Sequence, residues 1–406
     1  MILRFTKEGL QKRQNGYLSL GIAGLILQPM YFFILSTLSD VFLFETGPFT
    51  YLYYGAVWFL LLLSLPGLVC AVTPYRLLGI LVVGVLITSQ LLFFPNNEKY
   101  ISGINIMEVL AFQPTSLLTV IPYIWVGMAV TDTDKLRGVL QTTARIGILI
   151  GALTYVIAII NDQELNYDDM NNAYGICLMV CLLIMEPRKR DSLFIVIGVL
   201  SLILAGTRGP LVCFMVAVAV KTVWLEPKLV AKVVKTILCL LVIILLFLGA
   251  TEWLLEGVAE IFALIGVKDL RIVDFMREGI LLDSSERIEL TKTIRTAIGE
   301  KPLLGYGAGG DRTLLFDGTY AHNLFLELWV SYGLLCGTLI IGWMGYWVFR
   351  ALFHKSTEVR FFAAVLFSGV VVKLLLSSSY LNSKELFVLL GVCIAGTPSA
   401  NKKRLH

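Results

Sequence analysis

Charge is scarce in this sequence. Acidic and basic residues together make up 15% of it, against about a quarter in a soluble domain, while 57% is hydrophobic and mean hydropathy is +0.81. That balance excludes a water-soluble globular core as the organising principle. Histidine is rarer still, with only His322, His354 and His406. No His, Cys or carboxylate cluster has metal-ligand spacing; Asp168 and Asp169 read as a metal pair or, as the charge pattern already expects, as an acidic outer loop, and neither a resident metal nor a cofactor is expected. The seven cysteines, Cys70, Cys177, Cys181, Cys213, Cys239, Cys336 and Cys393, all fall in apolar runs, which argues against a disulfide framework. Cys177 and Cys181 share a helix face without a nearby His or acid and read as packing residues. There is no internal repeat, low-complexity tract or linker, and no strand–turn–helix context that would give the glycine-rich stretch a nucleotide fold.

What the sequence has in quantity is apolar runs of membrane-crossing length. A spanning helix takes about 20 mostly apolar residues, and about twelve such runs are present. They are Tyr17 to Leu38, Tyr51 to Val72, Leu77 to Phe94, Leu110 to Val130, Arg145 to Ile160, Asn171 to Met185, Ser192 to Gly206, Pro210 to Trp224, Thr236 to Trp253, His322 to Phe349, Phe361 to Ser377 and Glu385 to Pro398. The first follows Arg4, Lys7, Lys12 and Arg13 and has no small-residue cleavage site, so a retained span is expected. The expected fold is an all-α integral membrane protein, one polytopic domain over residues 1–406, with both termini cytoplasmic.

Charge sets the sidedness. With the N-terminus inside, basic residues such as Arg76, Arg137, Arg188, Lys189, Arg190, Lys232, Arg350 and Lys403 fall on the inner side, while short outer segments carry Asp40, Glu45, Glu98, Glu108, Asp162 and Asp168. The one basic outer segment is the long loop 254–321 between the ninth and tenth spans, with Lys268, Arg271, Arg277, Arg287, Lys292, Arg295, Lys301 and Arg312. Long loops escape the rule, and a cluster of cations there implies an anionic ligand.

Within and beside that loop lie the groups able to do chemistry. Arg208 sits in a short turn between apolar helices, flanked by Gly206, Gly209 and Pro210, where an ionisable group is costly and usually faces a partner; snorkelling to lipid headgroups is the competing account. Asp283 can cap a helix whose apolar stripe is Leu290, Ile294, Ala297 and Ile298, and Arg287 falls in the middle of that stripe, either turned inward or snorkelling at its end. His322 opens the tenth span between Tyr320 and Asn323, with Glu327 further along, and reads as a base or as a structural hydrogen-bonding residue. Gly305, Gly307, Gly309 and Gly310 form either an anion nest or a plain turn. Gly333 and Gly337 read as a small-xxx-small pair for close helix packing, and Lys373 as a snorkelling cation or a further site cation.

Together, Thr207-Arg208-Gly209, Ser285-Glu-Arg287, Pro302-Leu-Leu-Gly-Tyr-Gly307 and His322-Asn323-Leu-Phe-Leu-Glu327, in this order and with the topology above, resemble the O-antigen ligase and polymerase family of bacterial envelope glycosyltransferases. The resemblance implies a metal-independent enzyme that takes glycan from an undecaprenyl-pyrophosphate carrier at the outer face of the cytoplasmic membrane. His322 would be the base or acceptor-positioning group, and Arg208 and Arg287 would hold the pyrophosphate, with Arg295, Tyr320 and Asn323 as further substrate-binding residues. The implied partners are that donor, a glycan or lipid A-core acceptor, the bilayer and a chain-length regulator, with no nucleic acid. The wording around His322 leans toward a polymerase of repeat units over a ligase. A twelve-span transporter or flippase of lipid-linked oligosaccharide is the rival from another class; such proteins commonly show paired halves and midplane sites, and here the halves look unrelated and the charges cluster at one surface.

Overall fold

The computed structural model describes residues 7–70, 85, 89–114, 116–160, 168–205, 207–225, 285–315 and 319–396. Among them the regular elements are helical and no strand occurs. The main helices are α1 (Lys7–Phe42), α2 (Gly47–Leu63), α3 (Leu117–Met128), α4 (Thr133–Ile160), α5 (Asp168–Ile184), α6 (Asp191–Leu204), α7 (Arg208–Val220), α8 (Ser285–Glu300), α9 (Gly310–Leu314), α10 (Leu324–Leu352), α11 (Thr357–Leu376) and α12 (Lys384–Gly396). Four helices are long and apolar enough to cross a membrane: Arg13–Phe42, Thr133–Ala158, Leu324–Leu352 and Thr357–Leu376. Gly47–Leu63, Leu117–Met128, Asn172–Ile184, Asp191–Leu204 and Gly209–Val223 are shorter apolar helices. The chain is thus a helical membrane protein. Of the expected spans, Thr236 to Trp253 and most of Leu77 to Phe94 lie outside the described residues, as do residues 254–284 of the long loop.

The chain divides into two compact units. The unit of Leu27–Gly47 and Gln141–Ser285 is built on α5, which packs against α6 and α7. A buried ion pair ties the middle of α4 to the start of α6: Arg145 Nε donates to Asp191 Oδ1 at 2.7 Å, Arg145 Nη2 to Oδ2 at 3.2 Å, and the Arg188 amide also donates to Oδ2 at 2.8 Å. Two buried charges are tolerable here because the carboxylate is bidentate and its remaining acceptor capacity is filled. The packing reading of Cys177 and Cys181 holds: both are buried, as is Cys213, and the Cys177 thiol donates to the Pro210 carbonyl at 3.1 Å.

The unit of Met1–Ile26, Pro48–Leu140 and Glu286–His406 holds α3 and α8 to α12. Ser116 starts α3 with a capping box, its hydroxyl accepting from the Thr119 amide at 3.4 Å while Thr119 Oγ1 accepts from the Ser116 amide at 3.0 Å. Where α3 crosses α12 the two backbones meet at Gly127 and Gly391; a Cβ on Gly127 would strike the Val388 carbonyl, and one on Gly391 the Ile124 carbonyl. Small residues permit that approach, and dispersion between the closely packed backbones holds it.

α10 is not straight. Gly333 has φ 74° and ψ 170°, a region open essentially to glycine alone, and the helix breaks there. The Pro302–Gly307 turn fills the break: the Tyr306 amide donates to the Val330 carbonyl at 2.8 Å, Gly307 to Ser331 at 2.8 Å, and Leu334 to Pro302 at 2.6 Å. This corrects the expectation that Gly333 serves close helix packing. It is the point where a turn of the loop replaces the missing helical hydrogen bonds.

Candidate functional site

α8 forms as its pattern requires, with Ile294, Ala297 and Ile298 buried in one cluster with Leu315, Ala321 and Val330, and Leu290 packed against its edge. The apolar stripe therefore faces α9, α10 and the segment leading into α10. Arg295 is exposed on this helix. Arg287 belongs to its first turn and Arg208 to the first turn of α7, but the side chains of both lie outside the described residues, as does Asp283.

In the glycine-rich turn after α8 four amides are bonded within the protein: Gly305 to the Lys301 carbonyl at 3.1 Å, Tyr306 and Gly307 to α10, and Gly310 to Gly307 at 2.9 Å, as in a plain turn. Gly305, Gly307 and Gly309 all have positive φ, and a Cβ on Gly309 would enter the Tyr100 ring. Asn97 secures the outside of the turn, its Nδ2 donating to the Tyr306 carbonyl at 2.6 Å.

α9 then delivers two adjacent charges into the interior. Asp311 is fully buried and Arg312 nearly so. Asp311 Oδ2 accepts from the Ala321 amide at 3.0 Å. Burial outweighs the attraction of Arg312 and the amide bonds, and it pushes the Asp311 carboxyl above its ordinary value. The Arg312 guanidinium lies between two aromatic faces, 5.4 Å from the Tyr100 centroid and 5.7 Å from that of Tyr320. Its Nη2 donates to Ser379 Oγ at 2.7 Å, and its Nη1 is 3.8 Å from Glu327 Oε1.

Tyr320, His322 and Asn323 are brought together, and each is half-buried. The Tyr320 and His322 rings lie 4.2 Å apart, centroid to centroid. Asn323 caps α10, its Oδ1 accepting from the Phe325 and Leu326 amides at 3.0 and 3.2 Å, and its Nδ2 donates to the Leu375 carbonyl at 3.1 Å. His322 has φ 51°, a left-handed conformation that costs a residue with a Cβ about 1 kcal/mol. Its Nδ1 is 3.1 Å from the Ser377 carbonyl oxygen, at the end of α11, and Tyr320 Oη donates to the same oxygen at 3.4 Å. A carbonyl oxygen only accepts, so Nδ1 carries the proton; in the neutral ring Nε2 then holds the lone pair. The chemistry open to this arrangement is proton abstraction by an oriented imidazole.

Several members of the cluster had weak signals in the sequence. Arg312 counted there only as one more loop cation, and Asp311 and Tyr100 not at all. The adjacent Asp311-Arg312 pair gave only a faint clue to α9, because opposite charges stand side by side at several other places in the sequence. The 377–383 connection, Ser-Ser-Ser-Tyr-Leu-Asn-Ser, was another, since so polar a stretch between two apolar helices must spend its donors on something.

Residues 193–342 match the family model described as O-Antigen ligase. The match runs from α6 into α10 and takes in Arg208, Arg287, Arg295, Tyr320, His322 and Asn323, so it supports the resemblance to the O-antigen ligase and polymerase family on the residues that suggested it. No curated protein matches the chain.

Proposed function

We propose that this chain is a membrane glycosyltransferase that polymerises undecaprenyl-pyrophosphate-linked oligosaccharide repeat units, for O-antigen or capsule, at the outer face of the bacterial cytoplasmic membrane. The observation that carries the reading is the orientation of His322, whose Nδ1 lies 3.1 Å from the Ser377 carbonyl oxygen, so that Nε2 is the nitrogen that would act as base in this reading. In the step it would serve, the acceptor hydroxyl oxygen attacks the anomeric carbon of the donor. The bond from that carbon to the pyrophosphate oxygen breaks, and the hydroxyl proton passes to His322 Nε2. The pyrophosphate, still attached to its lipid carrier, departs with the bonding pair on its oxygen. Arg208 and Arg287 take up its charge in this reading, since guanidiniums bind phosphate oxygens bidentately and stay protonated, and no metal is needed for that task. Tyr320, Asn323 and the exposed Arg295 complete the substrate contacts.

A second reading, ligation of the finished glycan to lipid A-core, is equally consistent with the family description. Donor, carrier and base are the same in both; only the acceptor differs. Purified protein in detergent, given lipid-linked repeat units, tests the enzymatic claim. Release of carrier pyrophosphate with growth of the glycan is expected, whereas a transporter shows no turnover without a second compartment.

A further inference from the structure

Glu327 lies just past the cap of α10 and is fully buried, yet the transfer step gives it no role. A buried carboxylate persists only where partners hold it. Its partners come from the connection between α11 and α12 and from α9. Oε1 accepts from the Ser379 hydroxyl, Oε2 accepts from the Tyr380 amide at 3.1 Å, and Arg312 Nη1 stands 3.8 Å away. The Ser379 hydroxyl is fully used: it donates to Glu327 and accepts from Arg312 Nη2 at 2.7 Å and from the Leu381 amide at 3.2 Å, which is all a hydroxyl can do. Two residues upstream of this knot is Ser377, whose carbonyl receives His322 Nδ1–H. That carbonyl follows the last turn of α11, where the Ser377 amide still bonds to Lys373 at 2.9 Å but the backbone leaves the helix. One side of the carbonyl is thus set by α11, and the other by the tie from Ser379 and Tyr380 to α10.

We propose that Glu327 is a positioning residue for His322: by binding Ser379 and Tyr380 it fixes the Ser377 carbonyl that holds Nδ1–H, and so determines which ring nitrogen is unprotonated. The catalytic consequence rests on the reading of His322 as base; the positioning itself does not. Glutamine matches poorly the carboxylate that accepts from both Ser379 and Tyr380. With its amide nitrogen toward Tyr380, two donors face each other; with it toward Ser379, the serine hydroxyl proton loses its acceptor. Either way one of the two ties fails. Ser379→Thr keeps the hydroxyl and should keep the arrangement, while Ser379→Ala removes it.

The test uses the small number of histidines. The full chain carries three, so protein with ¹⁵N-labelled histidine, reconstituted in nanodiscs, gives few ring signals, and His322→Ala assigns the one of interest. Wild type and Ser379→Thr should show His322 as the Nδ1–H tautomer. Glu327→Gln should show mixed tautomers, with kcat for glycan transfer down about tenfold and the donor KM nearly unchanged, as expected for lost orientation with binding retained. Should Glu327→Gln not accumulate, Ser379→Ala is read by the same signals. An Nδ1–H tautomer that persists in both Glu327→Gln and Ser379→Ala overturns the inference, as does an Nε2–H tautomer in wild type. Mixed tautomers with unchanged kcat uphold the positioning and instead remove His322 from the role of base.

Discussion

The Ala321 amide donates to Oδ2 of Asp311 at 3.0 Å, and this bond pins the residue immediately before a histidine held at φ 51°. A buried amide that loses its acceptor costs about 1–3 kcal/mol, enough to relax a backbone conformation that itself costs about 1 kcal/mol. Asp311→Ala is expected to lower transfer about tenfold, while Asp311→Asn, which keeps an acceptor, retains most of it. The pH dependence of stability checks the same site. Burial raises the folded pKa of Asp311 above 3.8, so between about pH 4 and that raised value the folded chain keeps a proton the unfolded chain has lost. Its contribution is largest below the unfolded value and is lost as pH rises through the folded one. The fall in melting temperature over that window should be shallower in Asp311→Asn.

Gly333 and Gly342 lie on the same helix and should respond in opposite directions to alanine. At Gly333 the backbone sits at φ 74° and a Cβ would strike the Leu303 carbonyl, so Gly333→Ala should destabilise by about 1–3 kcal/mol and displace the turn that carries α9. At Gly342 a Cβ meets nothing within 4 Å, and alanine should stabilise the helix by roughly 0.5–1 kcal/mol. Thermal unfolding of the two variants side by side decides between a backbone requirement and a general sensitivity of α10.

Arg208→Lys and Arg287→Lys keep charge but lose the planar fork, so each should cut transfer at least about tenfold in protein that accumulates normally. Full activity in both would make them ordinary interfacial cations. Chelator treatment should leave transfer unchanged; loss restored by a divalent ion would contradict metal independence.

The sidedness derived from charge places the segment before α10 outside. Asp317 lies outside the described residues, but Thr319 is exposed, and Thr319→Cys in a Cys336→Ser background should react with a membrane-impermeant thiol reagent in intact cells or spheroplasts. Labelling only after lysis would reverse the topology.

Some of this architecture was legible in the sequence and some was not, for physical reasons. The stripe Leu290, Ile294, Ala297 and Ile298 predicted α8 and its buried face, because helical periodicity is local and records which side meets apolar neighbours. Tyr320, His322 and Asn323 were found because a polar run opening an apolar helix is conspicuous. The role of Gly333 was not readable, since a glycine allows either close packing or a positive φ, and only the insertion of residues 302–307 selects between them. The link from Glu327 to Ser379 joins residues far apart in the chain, and that from Asp311 to Ala321 crosses a non-helical connection, where no periodicity reaches. In a sequence with 15% charged residues, buried charge was itself the signal to follow.

The most direct test of the central claim is the surface polysaccharide of cells whose only copy of the protein carries His322→Ala, separated by size on a gel and compared with wild type at equal protein level. Removal of a polymerase leaves single repeat units that downstream enzymes still attach, so the account predicts collapse of the ladder to one short band. Long glycans accumulating on the lipid carrier, with none on the acceptor, would move the assignment to ligase. An unchanged ladder would contradict the account, because of the two described histidines it is His322 that lies in the cluster with Tyr320, Asn323 and Ser377.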